Sequence, residues 1–335
     1  MQYRALGSSG IQASVVGLGT WAIGGWMWGG TDEPAAIRAI QAALDDGINL
    51  VDTAPAYGFG LSEQLVGKAI RGRRDRVVLA TKCGLVWHVQ QGDHYFNSDE
   101  KAPNQAATQY RVYKCLRPET IRYEIEQSLK RLGVDCIDLY QTHWQESTTP
   151  IADTMATLQD LKRQGKIRAI GASNASVEQL DAYRRAGTLD VDQEKYSMLD
   201  RAHEADLLPA CVRHRLAFLA YSPLASGLLT GRIGPDRIFN AGDLRRGNPR
   251  FSRDNLERVS RLLQAFQPIA DAHHVSLGQL VIAWTVAQPG CTHALVGARD
   301  PAQAHENARA GDIRLEASEL ATMRQAIDAQ GTGIV

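Results

Sequence analysis

Four residues of the chain have side chains whose types could work together on an oxygen atom. Asp52 and Lys82 each end a short apolar run, INLVD and RVVLATK, and His143 ends IDLYQTH. Tyr57 follows Asp52 by five positions in VDTAPAYGFG. A phenol with its ordinary pKa of about 10 is a reluctant acid at neutral pH. A neighbouring ammonium favours the phenolate and lowers that pKa, and a carboxylate beside the ammonium keeps it charged and in place. An imidazole opposite can donate a hydrogen bond to a carbonyl oxygen and orient it. Such a group protonates an oxygen as negative charge develops on it, as carbonyl reduction by hydride requires. Taken singly, Asp52 could cap a turn, Lys82 could face solvent and His143 could be a core histidine. Convergence of all four on one mouth argues for a site.

That convergence depends on the elements between them. VVGLG (15–19), INLVD (48–52), RVVLATK (76–82), IDLYQTH (137–143), IRAIGAS (167–173), LDVDQ (189–193), LAFLAYS (216–222) and HALVG (293–297) read as strands. Helical patterns follow near 33–46, 61–70, 118–132, 150–164 and 176–186. Alternating strands and helices imply parallel pairing with right-handed crossovers, and eight strands close into a (β/α)8 TIM barrel. An open doubly wound sheet binding a dinucleotide would carry G-x-G-x-x-G after its first strand, which GLGTWAIGG does not match. Residues 3–15 read as an N-terminal β-hairpin around Gly7–Gly10, and two long loops, about 83–117 and 223–253, belong to the C-terminal face of the barrel. No linker of biased composition divides residues 1–335, so one domain is expected.

Composition narrows the function. Lys plus Arg and Asp plus Glu are both 37, and no long block of like charge marks a nucleic-acid or anionic-membrane surface. A small neutral or modestly anionic ligand fits better. No apolar run reaches a membrane span and the first residues lack a signal-peptide core, which points to the cytoplasm. Cys83, Cys115, Cys136, Cys211 and Cys291 are scattered without a CxxC pair, against a disulfide framework or a zinc site. A metal-dependent barrel hydrolase would need more ligands at the strand ends than Asp52 and His143, and Lys82 would repel the cation. Tyr110 and Lys114 form a Y-x-x-x-K pair, but in a polar loop without a glycine-rich cofactor turn.

The chain resembles the aldo-keto reductases over nearly its whole length, and most the bacterial sugar- and general-stress-type branch. The resemblance is carried by GLGTW (17–21), INLVDTAPAYG (48–58), SEQLVGKA (62–69), VVLATK (77–82), LKRLGVDCIDLYQTHW (129–144), LKRQGKIRAIGASN (161–174), AYSPLASGLLTG (220–231) and LVGARDPAQAHEN (295–307). It implies a catalytic tetrad of Asp52, Tyr57, Lys82 and His143, with Tyr57 as proton donor, and NADP(H)-dependent reduction of aldehydes or ketones. It implies an extended NADP(H) across the barrel mouth. Gly19, Thr20, Trp21 and Asp52 would line the nicotinamide end, and Ser173, Asn174 and Gln193 would bind the carboxamide. Tyr221 would stack on the ring. Ser222, Pro223, Leu224, Ser226, Gly227 and Leu228 would form the loop over the pyrophosphate. Gly297, Arg299, Gln303, Glu306 and Asn307 would hold the adenosine end, Arg299 facing a 2′-phosphate. Asp300 departs from the family, which often has a second basic residue there. A cofactor-sensing accessory protein on the same fold, turning over slowly, is the alternative.

For the substrate, Trp21, Trp26, Trp28, Trp87 and Trp144 all fall in loops after strands, where they would join Tyr57 and His143 in an apolar, ring-stacking pocket. Sugars, aryl aldehydes and ring ketones fit such a pocket. The long segment 84–117 adds His88, His94, Tyr95 and Phe96 as further candidate contacts. His273 and His274 are adjacent on a helix, cannot face one ligand, and read as structural.

Overall fold

The computed structural model describes residues 1–101, 109–331 and 333–334. Strands β1 (Tyr3–Ala5) and β2 (Gln12–Ser14) pair antiparallel as the expected hairpin. Then come β3 (Val16–Gly19), β4 (Leu50–Asp52) and β5 (Val78–Cys83). A small excursion holds β6 (Leu85–Val86), β7 (Asp93–Asn97) and β8 (Arg111–Lys114). The remaining strands are β9 (Ile137–Thr142), β10 (Ile167–Ser173), β11 (Val191–Lys195), β12 (Ala217–Tyr221) and β13 (His293–Gly297). The eight strands β3, β4, β5 and β9 to β13 form a closed parallel barrel. Each expected barrel strand is present, displaced at its ends by a residue or two.

Helices return the chain between barrel strands, among them Glu33–Asp45, Leu61–Ile70, Pro118–Leu132, Ile151–Arg163 and Val177–Ala186. Their ends are written locally. Pro118 opens one helix and Gly133, at φ 66°, closes it in the left-handed conformation. Ser176 with Gln179, and Ser276 with Gln279, each form a capping box that satisfies otherwise orphaned backbone donors. Among the described residues no helix is long and apolar enough to cross a membrane.

Strand side chains alternate between the barrel interior and the helix layer. The interior cluster contains Leu50, Val78, Ala80, Leu139, Ala169, Val191, Ala217, Leu219 and Leu295. Leu6, Ile11 and Ala13 of the hairpin segment join it, so the hairpin plugs the barrel at its N-terminal end. Continuing the period-two count towards the strands' C-terminal ends gives Gly19, Asp52, Lys82, Gln141, His143, Ser173, Gln193, Tyr221 and Gly297. The top interior layer is therefore polar where the layers beneath are aliphatic.

Two expectations change. Segment 84–117 is not a plain loop, since β6, β8 and β7 pair antiparallel as a three-stranded sheet beside the barrel mouth. Residues 102–108 of that segment lie outside the described residues. Segment 223–253 likewise carries short turns of helix at Ala225–Thr230 and Pro249–Phe251.

Candidate active site

Tyr57 is fixed by its backbone before its side chain is considered. Its N–H donates to Ala54 O at 3.1 Å, and its carbonyl accepts from Ser62 N–H at the start of helix Leu61–Ile70, also at 3.1 Å. Gly58, Phe59 and Gly60 follow with φ of 66°, 53° and 102°, three successive left-handed residues that turn the chain sharply into that helix. Gly24 packs so closely that a Cβ there would lie 2.6 Å from the Tyr57 carbonyl carbon. Ser62 Oγ also bonds Thr20 and Thr53, tying the loops after β3 and β4 together.

Lys82 is fully buried and donates three hydrogen bonds: to Asp52 Oδ1 at 2.6 Å, Thr53 O at 3.0 Å and Tyr57 Oη at 3.2 Å. The second oxygen of Asp52 accepts from Gln193 Nε2 at 2.9 Å and Gln141 Nε2 at 3.2 Å. The His143 ring lies edge-on to Tyr57, with centroids 5.7 Å apart. The four expected catalytic residues thus form one contact group at the barrel mouth.

The electrostatics correct one expectation. Burial raises the Tyr57 pKa above its ordinary 10 by more than the Lys82 charge lowers it. Lys82 therefore offsets the burial of the phenol without making it acidic, and Tyr57 holds its proton at neutral pH. For Lys82, burial works against the charge, but Asp52 and Tyr57 together outweigh it and raise its pKa. Burial, and then the Lys82 charge, hold His143 well below 6.5, so its ring is neutral. A protonated phenol, a charged lysine and a neutral imidazole are the states a carbonyl-protonating site needs.

Above this group lies a cavity of about 630 Å³. One end is apolar, lined by Trp21, Trp26, Trp28, Leu85, Tyr95, Phe96 and Trp144 around Tyr57 and His143. Trp26 stacks on Phe96 at 5.6 Å, and Trp28 meets Trp21 edge-on at 5.3 Å. Lys114 sits over the rings of Tyr95 and Trp144, at 4.6 and 5.0 Å. Trp87 does not join this wall. It packs against Phe59 and Tyr110 and borders a separate small cavity with His88, so the expected substrate contact is a loop-sealing residue. His94 contacts Tyr113 and Asn97 and is likewise not on the cavity wall.

The cavity then runs past Gly19, Thr20, Ser173, Asn174, Gln193 and Tyr221 to Ser222, Pro223, Leu224, Ser226 and Gly227. It ends among Gly297, Arg299, Gln303, Glu306 and Asn307. Leu228 is the exception: its side chain is buried in the core beneath that path. Ser222, Ala225, Ser226 and Gly227 all have positive φ, a backbone curl of the kind that cups anions. Arg245 reaches over it to Ser226 O and lies 5.1 Å from the Trp28 ring. Arg299 donates to Gly30 O at 2.6 Å and Trp28 O at 3.4 Å, and Arg232 pairs with Glu306 at 2.8 Å. Asp300 caps its helix at Gln303 N–H. Sequence reasoning missed Arg232, Arg237, Arg245 and Leu85 on this wall: it put their loops at the C-terminal face, but which side chains turn to the cleft depends on how those loops fold. Gln141, two residues before His143 in IDLYQTH, was given no role.

With its length, its phenol–ammonium pair and its anion-cupping turn, the cleft could take an extended anionic ligand. The Aldo/keto reductase family model matches residues 15–328. This chain belongs to the aldo/keto reductase family. It is 42% identical over 335 residues to the NADH-specific methylglyoxal reductase of Escherichia coli, covering 98% of this chain and 99% of that protein. It is 42% identical over 306 residues to the aldo-keto reductase YhdN of Bacillus subtilis, covering 90% and 86%. Among solved structures, a glycerol dehydrogenase from Gluconobacter oxydans superposes with a TM-score of 0.85 at 38% identity, covering 98% of this chain and 95% of that one.

Proposed function

We propose that this aldo/keto reductase reduces a small aldehyde or ketone to the alcohol with NADP(H), Tyr57 delivering the proton. The observation that carries the reading is the buried chain Asp52–Lys82–Tyr57, at 2.6 and 3.2 Å, beneath an aromatic pocket beside neutral His143. The bound coenzyme would supply the hydride. Ser173, Asn174 and Gln193 would hold its carboxamide, Tyr221 its ring, the turn 222–227 its pyrophosphate, and Arg299 its 2′-phosphate. His143 would orient the carbonyl oxygen. Tyr57 would pass its proton to that oxygen, and Lys82 would meet the phenolate left behind. Run backwards, the same groups take a proton from an alcohol.

The aromatic wall favours flat or cyclic carbonyls, including sugars and aryl aldehydes. NADP(H) is preferred on the strength of Arg299, whose guanidinium can grip a phosphate with two hydrogen bonds. A relative named for NADH specificity makes the comparison of the two coenzymes the necessary control.

The test is consumption of NADPH and NADH with a panel of aldehydes, sugars and cyclic ketones, wild type beside Tyr57→Phe. Expected is turnover by the wild type, a loss of about 10²-fold or more in the variant, and nearly unchanged coenzyme affinity. Tight coenzyme binding without turnover of any substrate would instead favour a coenzyme-sensing accessory protein. For the coenzyme, Arg299→Ala should weaken NADPH about tenfold and NADH little. An equal effect on both would move the 2′-phosphate elsewhere.

A further inference from the structure

The two oxygens of Asp52 are held in different ways. Oδ1 accepts from Lys82 Nζ at 2.6 Å, while Oδ2 accepts from two side-chain amides, Gln193 Nε2 at 2.9 Å and Gln141 Nε2 at 3.2 Å. Both amides are buried, and a carboxylate can only accept, so each must present its nitrogen to Asp52. Gln141 Oε1 is then left to accept from Gln193 Nε2, at 3.3 Å. The three side chains form one dry network beneath the Lys82–Tyr57 pair.

The two amides differ in what else they meet. Gln193 borders the cavity, at the end read as the nicotinamide site. Gln141 is fully buried and does not border it. A bound coenzyme therefore competes for Gln193 but not for Gln141, which is the donor to Oδ2 that stays in place whatever fills the cleft.

The neighbouring strands make room for Gln141. It is in register with Lys82 of β5 on one side and Gly171 of β10 on the other. A Cβ at Gly171 would lie 2.7 Å from Gln141 Cγ and 3.2 Å from its Oε1, with Leu139 Cδ1 next at 3.3 Å. Gly171 is not among the residues of positive φ, so the close approach of Gln141, not a special backbone angle, accounts for a glycine inside this strand.

We propose that Gln141 is a positioning residue that keeps the Asp52 carboxylate turned towards Lys82 while the coenzyme is bound. Lys82 meets the charge that Tyr57 acquires on giving up its proton. A carboxylate free to turn weakens that support during the reaction, and its Oδ2 loses a donor where no water replaces it. The inference rests on the reductase reading of the site.

The test is steady-state carbonyl reduction at saturating coenzyme, wild type beside Gln141→Met, which keeps the volume and removes both hydrogen bonds. kcat should fall about tenfold, as for loss of a hydrogen bond to a charged group, while carbonyl KM stays within about twofold. Gly171→Ala, which crowds Gln141 from the next strand, should lower kcat in the same way. In a Gln141→Ala background, where the space is empty, Gly171→Ala should lower kcat no further. An unchanged kcat in Gln141→Met, or a loss carried wholly by KM, would overturn the proposal. So would a Gly171→Ala effect that persists in full beside Gln141→Ala. Should the Gln141 variants fail to fold, Gly171→Ala decides alone: a lower kcat at unchanged KM supports the proposal, and an unchanged kcat overturns it. A wild type that turns over no carbonyl overturns the reductase reading and this inference with it. Wild-type turnover that Gln141→Met matches overturns this inference alone.

Discussion

At the scale of single residues, the site depends on an arrangement of charge in a dry place. Asp52 and Lys82 are both buried, and Lys82 has nowhere else to put its charge. Replacing Lys82 by Met would strand the carboxylate of Asp52 with two amide donors and no cation. The expected cost is about 3 kcal/mol of stability, because an unpaired buried charge is far worse than none. kcat should fall further than KM rises, since the lost contact is one that strengthens as Tyr57 gives up its proton. Denaturant unfolding and steady-state kinetics on the same preparation check both halves. A variant of unchanged kcat would show that Lys82 serves the fold alone.

The elements explain why Tyr57 stands where it does. The turn after β4 must reverse into a helix within a few residues, and glycines at left-handed φ make that possible. A Cβ at Gly58 would lie 2.2 Å from Gly24 O, and its φ of 66° is strained for any other residue. Gly58→Ala should therefore cost at least about 2 kcal/mol and push Tyr57 away from Lys82. A shift of this kind far exceeds the tolerance of proton transfer, so kcat should drop by about 10²-fold. Thermal unfolding with kinetics measures it; full activity in a destabilised protein would separate the turn from the chemistry. The sheet β6–β8–β7 plays the corresponding part for the pocket wall, carrying Tyr95 and Phe96 to the cavity and Lys114 behind them.

Across the whole molecule, buried titratable groups make stability depend on pH. His293 is fully buried in the barrel wall, where burial lowers its pKa to about 4 from the ordinary 6.5. The folded state then keeps a neutral ring where the unfolded chain takes up a proton. Its contribution is complete above pH 6.5 and is lost as pH falls from there towards 4, about 3 kcal/mol at the full extent. Glu194 acts in the opposite sense. Its raised pKa means that stability present at pH 4.5 declines as pH rises to about 7. Comparing unfolding of wild type and His293→Gln from pH 4 to 7 isolates the histidine. The variant should lose less stability on acidification, and identical slopes would mean that His293 is not held neutral by the fold.

The sequence by itself determined the strand count, the alternation with helices, the hairpin and the four polar residues that meet at the barrel mouth, Asp52, Tyr57, Lys82 and His143. These are local signals: short apolar runs, turn glycines, and polar residues ending otherwise apolar strands. The family resemblance brought Ser173, Gln193 and Tyr221 to the same mouth. Only the tertiary structure decided the rest. Trp87 left the pocket because β6 turns it toward Phe59, and Leu228 left the cleft because its turn buries it. Arg232 and Arg245 came to the cleft across long stretches of chain. The balance at Tyr57 was also beyond reach, because it compares the cost of burial with the pull of Lys82, and both depend on distances that closing the barrel creates.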